Sequence, residues 1–341
     1  MSNSAAEVHA NAIVIDPCVQ YLISRTERSD KSGLTAVGLT IPMPGDDMVQ
    51  SLNEVRGFLN VIANEPTFCL ADTPQAIRDA KQNGQIAHIM LAQDSLFIGH
   101  NLENLLLWKQ LGLRVMQLTY NEQNLAGSGC LELHDGGLTQ YGRVLIREME
   151  RIGITLDLTH VGEKSFMEAA AVATQPLLAT HSNPKSVVDN PRNITDEQIK
   201  AIADSGGVVG VTTWAPLIWD GSPGMPTLDD YLRCLEYVIE LVGVDHAGVS
   251  TDSMGTWGAY PRHDPNPDAV PYGSVTDEFD RIAQPEDDNN RQPSDFNGIV
   301  DYPVLTAKMV ERGYSEENIH KLLGGNFLRV FDATWKPEFF R

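Results

Sequence analysis

Two histidines at matched places carry most of the chemistry that the sequence offers. His160 ends the run GITLDLTH (153–160), and His181 ends the run PLLATH (176–181), 21 residues further on. Both runs are short and apolar, and a helical pattern separates them, so the interval is one strand–helix–strand step. Neighbouring strands lie about 4.8 Å apart, which lets both imidazoles reach one ion. Two neutral imidazoles suit Zn²⁺, and also Mn²⁺, Fe²⁺ or Co²⁺, while leaving positions for water and substrate. A single strand-end histidine is more simply a backbone cap; the matched pair favours the ion.

The other strand ends supply a supporting cast. Asp252 closes HAGVSTD (246–252), where a carboxylate can ligate a metal or take a proton from water; its plainer role is to order the loop. Cys18 ends the first strand. It is equally a zinc-binding thiolate or a small buried hydrophobe, and both readings stay open. Gln93, Tyr120, Gln20 and Thr213 complete the set, and Gln93 and Tyr120 can hold substrate by hydrogen bonds. Arg192, in NPRNITD, can clamp a substrate carboxylate or pair with an acid on the rim. His9, His88, His100, His134, His246, His263 and His320 have no paired context and are expected in packing or on the surface.

The elements that must position these residues repeat with one rhythm. Strand-like runs fall at AIVID (12–16), AVGLTIPM (36–43), IAHIMLAQ (86–93), RVMQLTY (114–120), 153–160, 176–181, GVVGVTT (207–213) and 246–252. They do not alternate, as expected for parallel strands buried on both faces. Helical spacing recurs between them. Leu228, Leu232, Leu235, Ile239 and Val242 follow Thr227, a good N-cap. TDEQ (195–198) is a capping-box pattern, and Gly112, Gly153 and Gly243 stand where C-caps belong. Eight such units predict a single-domain (β/α)₈ TIM barrel over residues 1–341. A doubly wound sheet is disfavoured, since no GxGxxG follows the first strand. LLGGNFLRVF (322–331) reads as a helix packed on the barrel. One long insertion, 253–301, holds ten acidic residues, three basic residues and six prolines. Its place after the last strand predicts a cover over the barrel mouth or an arm reaching a neighbouring subunit of a homo-oligomer.

The 341 residues carry 25 basic and 46 acidic side chains, a net charge of −21. That balance excludes a nucleic-acid or anionic-membrane surface as partner, because both require cationic neutralisation of phosphate. No apolar run is long enough for a transmembrane span, and the first residues lack a basic secretory leader. Cys18, Cys69, Cys130 and Cys234 form no CxxC pair, so a reducing cytoplasm is the expected location.

These blocks resemble a known family. GGLTQYGRVLIREMERIGITLDLTHVGEKS, PLLATHSNPKSVVDNPRNITDEQIKAIADSGGVVGV, LVGVDHAGVSTD and RGYSEENIHKLLGGNFLRVF, with LRVMQLTYNEQNLAGSG, are similar in content and order to the membrane (renal) dipeptidases, over about residues 12–332. The resemblance implies an amidohydrolase-type barrel that cleaves dipeptides with two zinc ions bridged by a glutamate. It matches His160 and His181 to the ligands of one ion. Asp252 corresponds to the aspartate that handles the proton of the attacking water, and Arg192 to the binder of the substrate carboxylate.

The sequence departs from that pattern at the other ion. Where the family has a His-x-Asp pair, IDPCVQ places Cys18 and Gln20. Gln93 stands for the bridging glutamate, and Tyr120 for a histidine that supports the intermediate. Neutral amides cannot offset two closely held divalent cations. The expectation is therefore one ion, zinc first with Mn or Fe as alternatives, on His160 and His181, with Asp252, Cys18 or Gln93 completing its shell. Three functions compete: a metal-dependent hydrolase of a dipeptide or small amide; a mononuclear lyase, isomerase or deaminase of a small acid, with Tyr120 or Cys18 moving the proton; and a binding protein that kept only the scaffold.

Overall fold

The computed structural model describes residues 3–20, 30–253 and 291–336, with Val275 and Phe279. Nine parallel strands are present among them: β1 (Ile15–Val19), β2 (Ala36–Thr40), β3 (Phe68–Leu70), β4 (Ile86–Ala92), β5 (Leu113–Gln117), β6 (Thr155–Asp157), β7 (Leu178–Ala179), β8 (Val208–Thr212) and β9 (Ala247–Ser250). Eight run in the order β1-β2-β4-β5-β6-β7-β8-β9, while the short β3 pairs on the outside of β4. The ring closes where Val19 bridges Ser253 and the Gln20 amide donates to the Ser253 carbonyl at 2.9 Å. This nearly closed parallel barrel is the TIM architecture that the strand–helix rhythm predicts.

Two apolar layers hold it. One lies between sheet and helices, where Val209, Val211 and Val249 pack with Tyr231, Leu232 and Leu235 of helix Leu228–Val242. The other gathers Ile15, Ala87, Leu91, Val115, Leu178 and Val208 with Phe327, Phe331 and Trp335 of the last helix, Asn326–Thr334. Phe327 fits because β8 and β9 present glycine to it: a Cβ on Gly248 would meet its ring at 2.5 Å. The LLGGNFLRVF helix therefore plugs the end of the barrel opposite the strand C-termini.

Local signals fall where the sequence places them. Thr195 and Gln198 form the expected capping box, and Thr227 forms one with Asp230. Gly112 and Gly153 terminate their helices in the left-handed region, whereas Gly243 caps with φ 90° and ψ 156°. Most of the 253–301 insertion, and with it the expected cover over the mouth, lies outside the described residues. Its return is described: Gln292 accepts from the Thr213 hydroxyl at 2.5 Å and donates to the Thr251 carbonyl at 3.0 Å, so it crosses the ends of β8 and β9. Among the described residues, no helix is long and apolar enough to cross a membrane.

Candidate active site

The loops that leave the strand C-termini bring the chemistry-bearing residues together. Each histidine sits just past a very short strand: His160 three residues beyond β6, His181 two beyond β7. Their Nε2 atoms face one another at 3.0 Å. Their other ring nitrogens are held from behind, His160 Nδ1 by Asn121 Oδ1 at 2.6 Å and His181 Nδ1 by Thr180 Oγ1 at 2.9 Å. Tyr120 stacks on the His160 ring, centroids 4.2 Å apart and planes inclined by 29°. Burial, reinforced by the Arg192 charge, keeps both imidazoles neutral far below the usual histidine range. Neutral rings with facing nitrogens are what a divalent cation requires.

On the other side of His181 stand Cys18 and Asp252. Ligand atoms of Cys18, His181 and Asp252 all lie within 4.8 Å of one another. The Cys18 thiol donates to Asp252 Oδ1 at 3.6 Å, and the Gln20 amide donates to the same oxygen at 3.1 Å. Gln93 reaches Cys18 Sγ at 3.3 Å and Thr40 Oγ1 at 2.7 Å through its amide nitrogen. Asp252 keeps some solvent access, yet the protein packed round its carboxyl group raises its pKa to about 6, with Arg192, Gln20 and Cys18 opposing that rise. Burial also raises the Cys18 thiol well above its usual value, and the nearby Asp252 charge adds to this.

Among the described non-glycine residues, His160 (φ 67°) and Asp252 (φ 46°) have left-handed backbones. Such a conformation costs on the order of 1–2 kcal/mol per residue and persists where the surroundings impose it, commonly at functional sites.

Arg192 is buried and donates through Nη2 to the His181 carbonyl at 3.2 Å, and no carboxylate among the described residues pairs with it. The rim ion pair, its bland alternative, is therefore not seen. Thr213 turns to Gln292 instead of the histidines. Of the remaining histidines, His88 packs on Phe68, His9 bonds Thr306 and the Ser32 carbonyl, and His246 and His320 bond backbone carbonyls. His100 and His134 are exposed, and His263 lies outside the described residues. The strand-end argument missed Asn121, Thr40, Asp157 and Thr180. Their signal was present only as small polar residues flanking the strand-end set.

The donor chemistry differs from one side of the site to the other. The two imidazoles form a half-site with the Asp252 carboxylate nearby. The opposite half offers the Cys18 thiol and the Gln20 and Gln93 amides, whose nitrogens bond Asp252, Cys18 and Thr40, and these groups carry less anionic charge than carboxylates in their places would.

The model of the family described as "Membrane dipeptidase (Peptidase family M19)" matches residues 13–262 and 283–337. An uncharacterized protein in the pqqA 5′ region of Klebsiella pneumoniae is 30% identical over 302 residues, covering 86% of this chain and 98% of that protein. Dipeptidase tcpJ of Claviceps purpurea is 26% identical over 255 residues, 73% of this chain, and the chain spans 51% of its length. Among solved structures, an amidohydrolase from Pseudomonas aeruginosa superposes with a TM-score of 0.83 at 30% identity, over 98% of this chain and 99% of that one. A Rhodobacter sphaeroides metallopeptidase, liganded with a phosphinate mimic of L-Ala-D-Ala, shares the fold at a TM-score of 0.77 and 23% identity, over 95% of this chain and 100% of that one.

Proposed function

The chain belongs to the membrane dipeptidase family, peptidase family M19, and is a metal-dependent hydrolase of that kind; we propose that it cleaves a dipeptide or similarly small amide at a centre built for one divalent cation, zinc first. The observation that carries this reading is the pair of facing imidazole nitrogens, 3.0 Å apart, with Asp252 gathered at the same His181. His160 and His181 would hold the cation, which would supply Lewis acidity toward the scissile carbonyl and the attacking water.

The protein's own groups do the rest. Asp252 accepts the proton of the attacking water and returns it to the leaving amine. Arg192, buried and paired with no carboxylate among the described residues, binds the substrate carboxylate, which would offset its charge. Tyr120, stacked on the ring of His160, would hold the substrate by its hydroxyl. Gln93 fixes Cys18 through its amide nitrogen, and Cys18 lies close enough to His181 to join the ligands. All four cysteines are free thiols, which suits the cytoplasmic location that we propose.

The test is elemental analysis of the purified protein together with a dipeptide-cleavage assay. One ion per chain with cleavage is the expected result, and His181→Ala should lose both. Two tightly held ions, or full metal content in the variant, would overturn the reading.

A further inference from the structure

We propose that Asp157, acting through the hydroxyl of Thr180, sets the tautomer of His181 that leaves Nε2 bare for the cation. The inference rests on the metal-binding reading above and adds to it two positioning residues that touch neither substrate nor ion.

Asp157 ends β6 and is wholly buried. Its Oδ1 accepts from the Thr159 amide at 3.0 Å, the Thr159 hydroxyl at 2.7 Å and the Thr180 amide at 3.1 Å. Its Oδ2 accepts from the Gln117 amide at 2.8 Å and the Thr180 hydroxyl at 2.6 Å. A carboxylate only accepts, so the single Thr180 proton is committed to Asp157. The Thr180 oxygen then has only lone pairs to offer His181 Nδ1, 2.9 Å away. That contact requires a proton on Nδ1, and a neutral ring protonated there carries its lone pair on Nε2. The opposite tautomer would set the Thr180 and Nδ1 lone pairs against each other between buried groups and would also place a proton on Nε2, where the cation binds.

The neighbouring ring is arranged in parallel. Asn121 Oδ1, which also accepts from the Cys130 thiol at 3.4 Å, faces His160 Nδ1 at 2.6 Å. With both Nδ1 atoms acting as donors, the Nε2 atoms 3.0 Å apart are two bare acceptors, an arrangement that a cation relieves. Carboxylate partners of metal-bound histidines act in this way, and their loss typically weakens binding by about 10–100-fold. Here the carboxylate works through one intervening hydroxyl.

The test uses full-length protein stripped of metal, with zinc alone titrated against a competing chelator. Thr180→Val keeps the shape and the backbone amide that bonds Asp157 but removes the hydroxyl. It should bind zinc about 10–100-fold more weakly, and Thr180→Ser should restore wild-type affinity. ¹⁵N NMR of histidine-labelled protein should show His181 protonated on Nδ1 in the wild type and in Thr180→Ser, and lose that signature in Thr180→Val. Unchanged zinc affinity in Thr180→Val, failure of Thr180→Ser to restore binding, or a proton on Nε2 of wild-type His181 would each overturn the proposal. If His181→Ala loses the metal while Thr180→Val keeps it, the relay fails and the metal-binding reading stands.

Discussion

At the scale of single residues, the proposed mechanism separates groups that hold a cation from a group that moves a proton. In the proposed mechanism Asp252 is the proton carrier, and the left-handed backbone it occupies is one that asparagine also tolerates. Asp252→Asn should therefore fold and keep its metal while kcat falls by roughly 10²–10⁴-fold; steady-state kinetics beside metal analysis checks this. Burial raises the Asp252 pKa to about 6, so the basic form is lost as pH falls through that value. The expected kcat/KM profile drops on its acid side near pH 6, and an unchanged acid limb in Asp252→Asn would assign it elsewhere. Arg192→Ala should raise KM for dipeptides far more than for their C-terminal amides, and Michaelis constants for the two series decide it. His160, His181, Asp252 and Cys18 were legible in the sequence because a barrel delivers strand ends to one place. Asp157, Thr180 and Asn121 were not, because a hydroxyl or amide becomes meaningful only through the atom it faces.

Secondary-structure elements were legible in position and less so at their ends. RVMQLTY reads as a strand to Tyr120, yet β5 stops at Gln117 and leaves Tyr120 and Asn121 in the loop that bears on His160. Periodicity cannot see such a boundary, because the ladder ends where a neighbour diverges. β3 escaped notice since three residues, FCL, are too few to form a pattern. Glycines on the strands matter more than their small size suggests. A Cβ on Gly210 would stand 2.1 Å from the Thr180 carbonyl, beside His181. Gly210→Ala should therefore push β7 away from β8, cost about 1–3 kcal/mol and weaken the metal site, as thermal melts and chelator competition would report. Gly57, in helix Met48–Asn64, has open space around it. Gly57→Ala should be stabilising by roughly 0.5–1 kcal/mol, and a loss in the same melts would contradict that.

For the molecule as a whole, the join between first and last strands decides how stability responds to pH. Asp16 of β1 accepts from the Thr251 amide at 3.3 Å and from its hydroxyl at 2.5 Å, tying the two ends of the sheet together. Burial raises the Asp16 pKa to about 7 against an ordinary 3.8. The folded chain then keeps a proton that the unfolded chain gives up, so stability declines as pH rises from about 4 to about 7. For Asp16 alone the decline is of order 4 kcal/mol at most. Asp252 acts in the same sense over the lower part of that range. Denaturant titrations of metal-free protein should show the trend, and Asp16→Asn should flatten it.

That join also carries one side of the candidate site: Cys18 and Gln20 come from one lip, Asp252 and Ser253 from the other. A hoop that parts there would lose its function while most of its staves and outer helices remained in place. Gentle heating should thus silence the enzyme before circular dichroism registers any unravelling, and an ion lodged across the gap would act as the buckle that delays it.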